Sequence, residues 1–436
     1  MNWTVFENKL KKKRMETDHI PGCAIAVSKK GKMIYQKGFG VKNLESGDSV
    51  TPKTIFGIAS VTKSFTALAI MKLEEEGLLS IHDPVIDYLP ELQISCIQPI
   101  DSIKIHHLLT HSTGLAPIRR REELNDFHQH LNYLAETNHD ILGTPGEFIS
   151  YCNDTFLLLG AIIERLTGRL FRRYMTEEIL APLHLHRSTF SIEELQKLED
   201  VSTPYVFNEE KRDYEIHPWP ALGNYEVGGG IRSNVVDLLK YGELFLNQVP
   251  PIITKKQLDK MWKPYMPLST NSSYYGYALE VTPNYHGMTL VEHGGGQPGV
   301  SSHFGFIPEQ DLVVAILTNV SDASVKDIWI EAVNTALDLP IEERRTTYPS
   351  IELSQEQQRR FLGTYQSEEG TSLQINLDAQ GLKANIENKE FLLYASDEKT
   401  LVIADIHRPI RFHMNSEGIP WAAFFGLRML LKQSVS

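Results

Sequence analysis

Apolar and polar positions change their spacing several times along the chain. Near the N-terminus, Trp3, Val5, Phe6 and Leu10 are spread among charged residues, the spacing of an amphipathic helix. Ile20-Pro21-Gly22 breaks that pattern. Cys23–Ser28 and Met33–Lys37 then flank the turn Lys29-Lys30-Gly31-Lys32 and predict a β-hairpin. A second strand-rich block lies far downstream, at Met288–Glu292, Val300–Phe306 and Leu312–Leu317, with a turn around Pro308–Asp311. Between the two blocks the spacing is helical. Ser64–Glu76 stops at Gly77, Thr155–Thr167 stops at Gly168, and Val235–Leu246 follows Asn234, with Asp237 at the third helical position. Strands at both ends of a region with helices between them predict one sheet built from the two ends. Short, hairpin-linked strands make it antiparallel.

Residues 338–357 (LDLPIEERRTTYPSIELSQE) are charged, hold two prolines and show no apolar stripe, the texture of a linker. Beyond them come seven short strand candidates: Phe361–Tyr365, Leu373–Leu377, Leu382–Ile386, Phe391–Tyr394, Leu401–Ala404, Ile410–Met414 and Trp421–Leu427. Turns such as Glu369-Gly370 and Ser416-Glu417-Gly418 separate them, which predicts a small all-β sandwich or barrel. A chain of 436 residues exceeds what one core usually serves. The expected division is a first domain over 1–340, a linker over 341–357 and an all-β domain over 358–436.

Composition narrows the partners. Lys plus Arg is 43 against 55 for Asp plus Glu, a net charge of −12. That balance argues against nucleic acid or an anionic membrane, which need a basic surface. Cys23, Cys96 and Cys152 are odd in number and far apart, so no disulfide framework is expected and a reducing compartment fits. No stretch approaches the roughly 20 apolar residues of a membrane span, and the N-terminus lacks a signal-peptide core. The expectation is a cytoplasmic protein without a membrane span.

Three pieces carry chemistry. Ser60 directly precedes the apolar helical run SFTALAIMKLEEEG, with Lys63 one turn later on the same face. A serine hydroxyl needs a base to become a nucleophile, and a lysine with a lowered pKa can serve. The helix N-terminus also aims N–H groups at an oxyanion. Taken alone, the pair reads equally well as an N-cap serine and a surface lysine. Tyr151-Cys152-Asn153 stands at the entrance of the next helix; Tyr151 could work as an acid or base and Asn153 could bond a substrate amide, or both could be turn residues. His293-Gly294-Gly295-Gly296 ends a strand, where glycines allow close approach of a substrate backbone and their N–H groups can complete an oxyanion hole, or simply form a turn. His106, His107 and His111 invite a metal reading, but no HExxH pattern or carboxylate third ligand is evident, so no metal and no cofactor are expected. Arg119-Arg120-Arg121 could bind a substrate carboxylate; Glu122-Glu123 follow at once, and a solvated helix start is the favoured reading.

In order, Ser-x-x-Lys, Tyr-x-Asn and His-x-Gly resemble the serine β-lactamase and penicillin-binding-protein superfamily. The Tyr-x-Asn form is similar to its class C β-lactamase, D-alanyl-D-alanine carboxypeptidase and EstB-type esterase branch. Phe56-Gly57-Ile58-Ala59, His107–Leu115 and Gly228-Gly229-Gly230-Ile231-Arg232-Ser233 extend the resemblance, which covers about residues 5–335. It implies an α/β (α+β) fold: an antiparallel sheet flanked by helices plus an all-helical region, with the site between them. It also implies Ser60 as the acylated nucleophile and Lys63 and Tyr151 as general base and acid. Asn153 and Gly295 would bind substrate, and the N–H groups of Ser60 and Gly296 would form the oxyanion hole. His293 would stand where many relatives have lysine. An imidazole is only partly charged at neutral pH, which counts against an efficient β-lactamase. Phe361-Leu362-Gly363-Thr364-Tyr365 resembles the lipocalin-like domains attached to some members, whose roles include shaping the site entrance and supporting oligomers.

The expected function is therefore a serine hydrolase acting through an acyl-enzyme on small peptides, D-amino-acid-containing ones among them, or esters. A β-lactamase or small-ester esterase is the alternative within enzymes, and a non-catalytic penicillin or muropeptide sensor the alternative outside them.

Overall fold

The computed structural model describes residues 1–247, 249, 251–268 and 272–434. One eight-stranded antiparallel sheet runs in the order Lys32–Gly40, Gly22–Lys29, Leu312–Thr318, Val300–Ile307, Met288–Gln297, Glu280–Tyr285, Tyr274–Tyr275, Met266–Pro267. It is built from two distant parts of the chain: Cys23 lies opposite Thr318 and Lys29 opposite Leu312. Both faces are covered, which is why Cys23–Val27 is buried throughout and does not alternate. Ala24, Ala26, Phe304, Phe306, Val313 and Ala315 face the helical layer. Cys23, Ile25, Val27, Val314 and Ile316 face the N-terminal helix and helix Val325–Ala336, through Phe6, Leu10, Ile328 and Trp329. The N-terminal helix, Trp3–Lys9, widens into a π-turn at Leu10–Met15. Val5 falls on its solvent side, outside the apolar stripe expected for it.

The helical layer contains Thr62–Glu75, Asn153–Thr167 and Val235–Phe245. The first of these is buried on nearly every side, so it lacks the stripe of a surface helix. Asn234 caps the third, accepting from the N–H groups of Val236 and Asp237 at 3.0 Å each. Asp237 does not complete a capping box; its carboxylate accepts from the Arg187 N–H and the Ser188 hydroxyl.

The C-terminal region is a closed up-and-down barrel of eight strands: Gly363–Gln366, Ser372–Asp378, Gly381–Ile386, Lys389–Asp397, Thr400–Ile403, Arg408–Met414, Pro420–Phe425 and Arg428–Lys432. Tyr365 lies opposite Lys432 and closes it. Leu373, Ile375, Leu382, Ala384, Ile410 and Phe412 alternate into its core. Seven strands were expected. The last expected run, Trp421–Leu427, crosses a real turn: Gly426 and Leu427 both have left-handed φ, +58° and +68°, and Phe425 pairs with Arg428. That is the two-residue hairpin that twisted strands favour. A leucine in that conformation carries no turn signal, which hid the eighth strand. Phe361 lies outside the first strand, at the end of a short helix, Gln355–Arg360, capped reciprocally by Ser354 and Gln357. Among the described residues no helix is long and apolar enough to cross a membrane.

Candidate active site

The chain enters the site through Phe56-Gly57, which pairs with Arg232-Ser233, and makes one 3-10 turn, Ala59–Val61, before helix Thr62–Glu75. Phe56, Ile58, Val61 and Phe65 anchor this turn in the core. Ala59 takes a left-handed φ of +43°, an uncommon conformation for a residue with a side chain. Neighbours hold it there: the Ile58 N–H donates to Ile231 O at 3.0 Å and the Ser302 hydroxyl donates to Ile58 O at 2.7 Å. Ser60 is thus fixed at a helix N-terminus with its side chain partly open.

Lys63 follows one turn on and is 1% exposed. Its ammonium nitrogen lies 3.3 Å from Ser60 Oγ and donates to Gly228 O at 2.9 Å. Burial, aided by Arg120 and Arg428, pushes the Lys63 amine well below the ordinary lysine range. Helix Glu226–Gly229 closes over it, and a Cβ on Gly228 would sit 2.7 Å from Lys63 Nζ. Gly228, the first of the triple glycine, therefore gives the lysine its space.

Tyr151 is buried next to them, with Lys63 Nζ 5.0 Å from its ring centroid. Burial pushes its phenol far above the usual value, although Ser60, Arg428 and Arg120 pull the other way. Tyr151 is therefore protonated at neutral pH, a shift opposite to that of Lys63. His111, from the His-Ser-Thr-Gly stretch, packs its ring 4.1 Å from that of Tyr151 and accepts from the Cys152 N–H at 3.3 Å. Of the three histidines considered for a metal, His107 packs its ring 4.1 Å from that of His106 and its Nδ1 accepts from the Lys104 N–H at 3.1 Å.

His293 is brought to the site, but its two nitrogens are spent elsewhere. Nδ1 lies 2.6 Å from Gly294 O, an acceptor, so Nδ1 carries the proton. Nε2 then accepts from the Tyr275 hydroxyl at 2.9 Å. Burial pushes its pKa down to about 4. The partial charge expected of this imidazole at neutral pH is thus absent; it is neutral. Beneath it lies Glu292, held by Arg345 through two bonds of 2.8 and 2.7 Å and by His303 at 2.8 Å. Burial raises that carboxyl, but Arg345, Lys326 and His303 outweigh burial and hold it well below the usual range.

The glycines after His293 divide the work. A Cβ on Gly295 would collide with Ile58 O and lie 2.9 Å from the Ser60 nitrogen, so this glycine lets the strand dock on the serine turn. Gly296 has nothing within 4 Å of its Cβ position and faces open space. Asn153 opens helix Asn153–Thr167 and donates through Nδ2 to Glu369 Oε1 at 3.0 Å.

Glu369 belongs to the barrel, and no local signal in the sequence pointed to it. The barrel docks on the site through Ala422, Phe424 and Met429, packed against Ala116, Ile149, Tyr151 and Tyr275. The Tyr151 N–H donates to Leu427 O at 2.7 Å and the Met429 N–H to Ser150 Oγ at 3.0 Å. Arg428, between them, has its guanidinium carbon 5.2 Å from the Tyr151 ring centroid and an ion pair to Glu369. Arg120 also reaches this neighbourhood. Arg119 and Arg120 are solvated as expected, but no helix starts there: the next helix, Phe127–Glu136, starts at the Asp126 cap, and the Arg120 guanidinium lies over the Tyr225 ring at 4.6 Å. The glutamates that suggested a helix instead pair locally, Arg120 with Glu122 at 2.7 Å.

A family model described as β-lactamase matches residues 8–336, and the chain belongs to this family. Among curated proteins it is 28% identical over 349 residues to Protein flp of Staphylococcus aureus, covering 77% of this chain and 65% of that one. It is 26% identical to Unguisins hydrolase ungD' of Aspergillus campestris, covering 72% and 61%. The chain thus spans less than two thirds of the length of these curated relatives. The octameric penicillin-binding protein homologue from Pyrococcus abyssi is similar over 99% of this chain and 100% of its own, barrel included, with a TM-score of 0.74 and 28% identity.

Proposed function

We propose that the protein is a serine hydrolase that forms an acyl-enzyme on Ser60 and acts on small peptides, those containing D-amino acids among them, or on esters. The observation that carries this reading is the buried Lys63 amine, 3.3 Å from Ser60 Oγ and pushed towards its neutral form by burial. A neutral amine accepts the hydroxyl proton as Oγ attacks the substrate carbonyl; a general base of this kind contributes about 10²–10⁴ in rate. The N–H groups of Ser60 and Gly296 receive the oxyanion, each worth about 10²–10³. Tyr151, protonated, gives its proton to the leaving group, and Lys63 returns the proton taken from Ser60 to the phenolate. Water then hydrolyses the ester, with the same two groups reversing roles. Asn153 orients the substrate amide and Gly295 gives its backbone room. His293 positions the strand through Tyr275 and adds no charge. Kinship with a protein named a hydrolase supports turnover over a sensor role.

The test is hydrolysis of p-nitrophenyl esters, nitrocefin and D-Ala-containing peptides by the protein and by Ser60→Ala. Peptide or ester turnover that disappears in Ser60→Ala supports the reading. Turnover unchanged in Ser60→Ala overturns it. A nitrocefin rate far above the others would make the protein a β-lactamase instead. A cytoplasmic location and assembly into homo-oligomers belong to the same proposal, the second by similarity to the octameric Pyrococcus abyssi protein. Light scattering of the full chain tests it.

A further inference from the structure

We propose that Arg428, supplied by the barrel, binds a carboxylate on the substrate, and that Glu369 is a positioning residue that holds Arg428 and Asn153 together. The inference rests on the proposed acyl-enzyme function and extends it to substrate class.

The geometry leaves Arg428 little freedom. It is the first residue after the tight Gly426-Leu427 turn. The residues on either side of it are pinned to the segment carrying Tyr151, Leu427 O by the Tyr151 N–H and the Met429 N–H by Ser150 Oγ. Its guanidinium is therefore delivered over the Tyr151 ring whenever the barrel is docked. Within the fork, Nε is tied to Glu369 and Nη1 donates to Gly426 O at 3.2 Å, while Nη2 has no hydrogen bond among the described residues. The side chain remains 26% exposed. A guanidinium held at Nε and Nη1 with Nη2 left over is suited to a charge-assisted hydrogen bond to a carboxylate.

The other cations around the site do not compete for that role. Burial disfavours the charged form of Lys63, His293 and His111. Arg120 lies over Tyr225 and pairs with Glu122 in an exposed contact, whereas Arg428 is set over Tyr151 itself. Arg428 retains its charge: Glu369 outweighs the burial that opposes it. An ammonium on Glu369 is the opposite choice, and the bonding disfavours it. Glu369 is 11% exposed and already accepts from Asn153 at Oε1 and from Arg428 at Oε2, whereas Arg428 is 26% exposed with Nη2 unbonded among the described residues. The open valence at this mouth is a donor, so the ligand it fits is an acceptor with negative charge.

The experiment uses the full chain and matched depsipeptides. One is the ester of N-acetyl-D-alanine with 3-hydroxybenzoic acid, the other its ester with 3-hydroxybenzamide. A second pair carries carboxylate or carboxamide at the far end of the acyl group. The protein is expected to prefer the carboxylate member of one pair about ten- to a hundredfold in kcat/KM, chiefly through KM, the size of a charge-assisted hydrogen bond. Arg428→Gln is expected to bring that ratio near one. Arg428→Lys, which keeps charge and loses the fork, is expected to retain part of it. Glu369→Gln is expected to lower the ratio less than Arg428→Gln does. No carboxylate preference in either pair, or a preference that survives Arg428→Gln, overturns the assignment. A preference for substrates with a free amino group that disappears in Glu369→Gln also overturns it, in favour of Glu369 as the binding group. The two proposals fail separately. If a neutral fluorophosphonate does not label Ser60, the acyl-enzyme reading is wrong. If Ser60 is labelled and the ratio ignores residue 428, only the role of Arg428 is wrong.

Discussion

At the scale of single residues, the account depends on two opposed pKa shifts. Burial drives Lys63 down and Tyr151 up, which supports the proposed roles of the amine as proton acceptor and the phenol as donor. Because the acting base is the neutral amine, kcat/KM should fall as pH drops through the depressed Lys63 pKa and level off above it. A pH–rate profile flat down to pH 4 would contradict this. Lys63→Met should lower kcat about 10²- to 10⁴-fold while Ser60 remains in place. Tyr151→Phe should reduce kcat far more than it raises KM; equal losses would make Tyr151 a binding residue. The sequence could show that Ser60, Lys63, Tyr151 and Asn153 recur at a known spacing. It could not show that Lys63 is 1% exposed or that both His293 nitrogens are taken. Burial and tautomer depend on packing partners such as Gly228 and Tyr275, far away in the chain.

At the scale of elements, the site is a joint between a helix start and a strand. The serine turn and strand Met288–Gln297 touch where Gly295 has no Cβ to hold them apart. Gly295→Ala should therefore force the two apart, lowering the melting temperature and costing activity at least tenfold, in keeping with about 1–3 kcal/mol for overpacking. Gly296→Ala, with open space at its Cβ, should shift the melting temperature by less than about 3 °C. Thermal unfolding and ester hydrolysis of the two variants decide this; equal destabilisation would contradict it. The hairpin, the central strands and the three long helices were legible because their spacing and caps are local. The eighth barrel strand was not. Its turn is Gly426-Leu427, and a leucine with φ of +68° is held by contact with Tyr151, a constraint no local pattern reports. Arg120 was misread for a related reason: neighbouring glutamates suggested a solvated helix, while Tyr225 about a hundred residues on sets its position.

At the scale of the whole molecule, the β-lactamase-family region and the barrel meet at one candidate site, and burial keeps charge off histidines in both parts. His106, His107, His130, His293 and His413 are all pushed down to about 4, chiefly by burial. In the unfolded chain they would take protons near 6.5. The stability they contribute is complete above that value and is lost as pH falls towards 4. Asp154 has the opposite sign: burial raises it to about 7, so its contribution is present at low pH and lost as pH rises through 7. Five groups outweigh one, and the melting temperature should fall from pH 7 to pH 5; an unchanged or higher value at pH 5 would contradict this. That an all-β region follows the α/β one was visible in the change of texture towards the C-terminus. The barrel's intrusion into the site was not, since Glu369 meets Asn153 across 216 residues of chain. The most direct check of the central claim is mass spectrometry of the intact protein after treatment with a fluorescent phosphonate. The account predicts a single covalent adduct, located on Ser60 and absent in Ser60→Ala. An adduct on another residue, or labelling undiminished in Ser60→Ala, would contradict it.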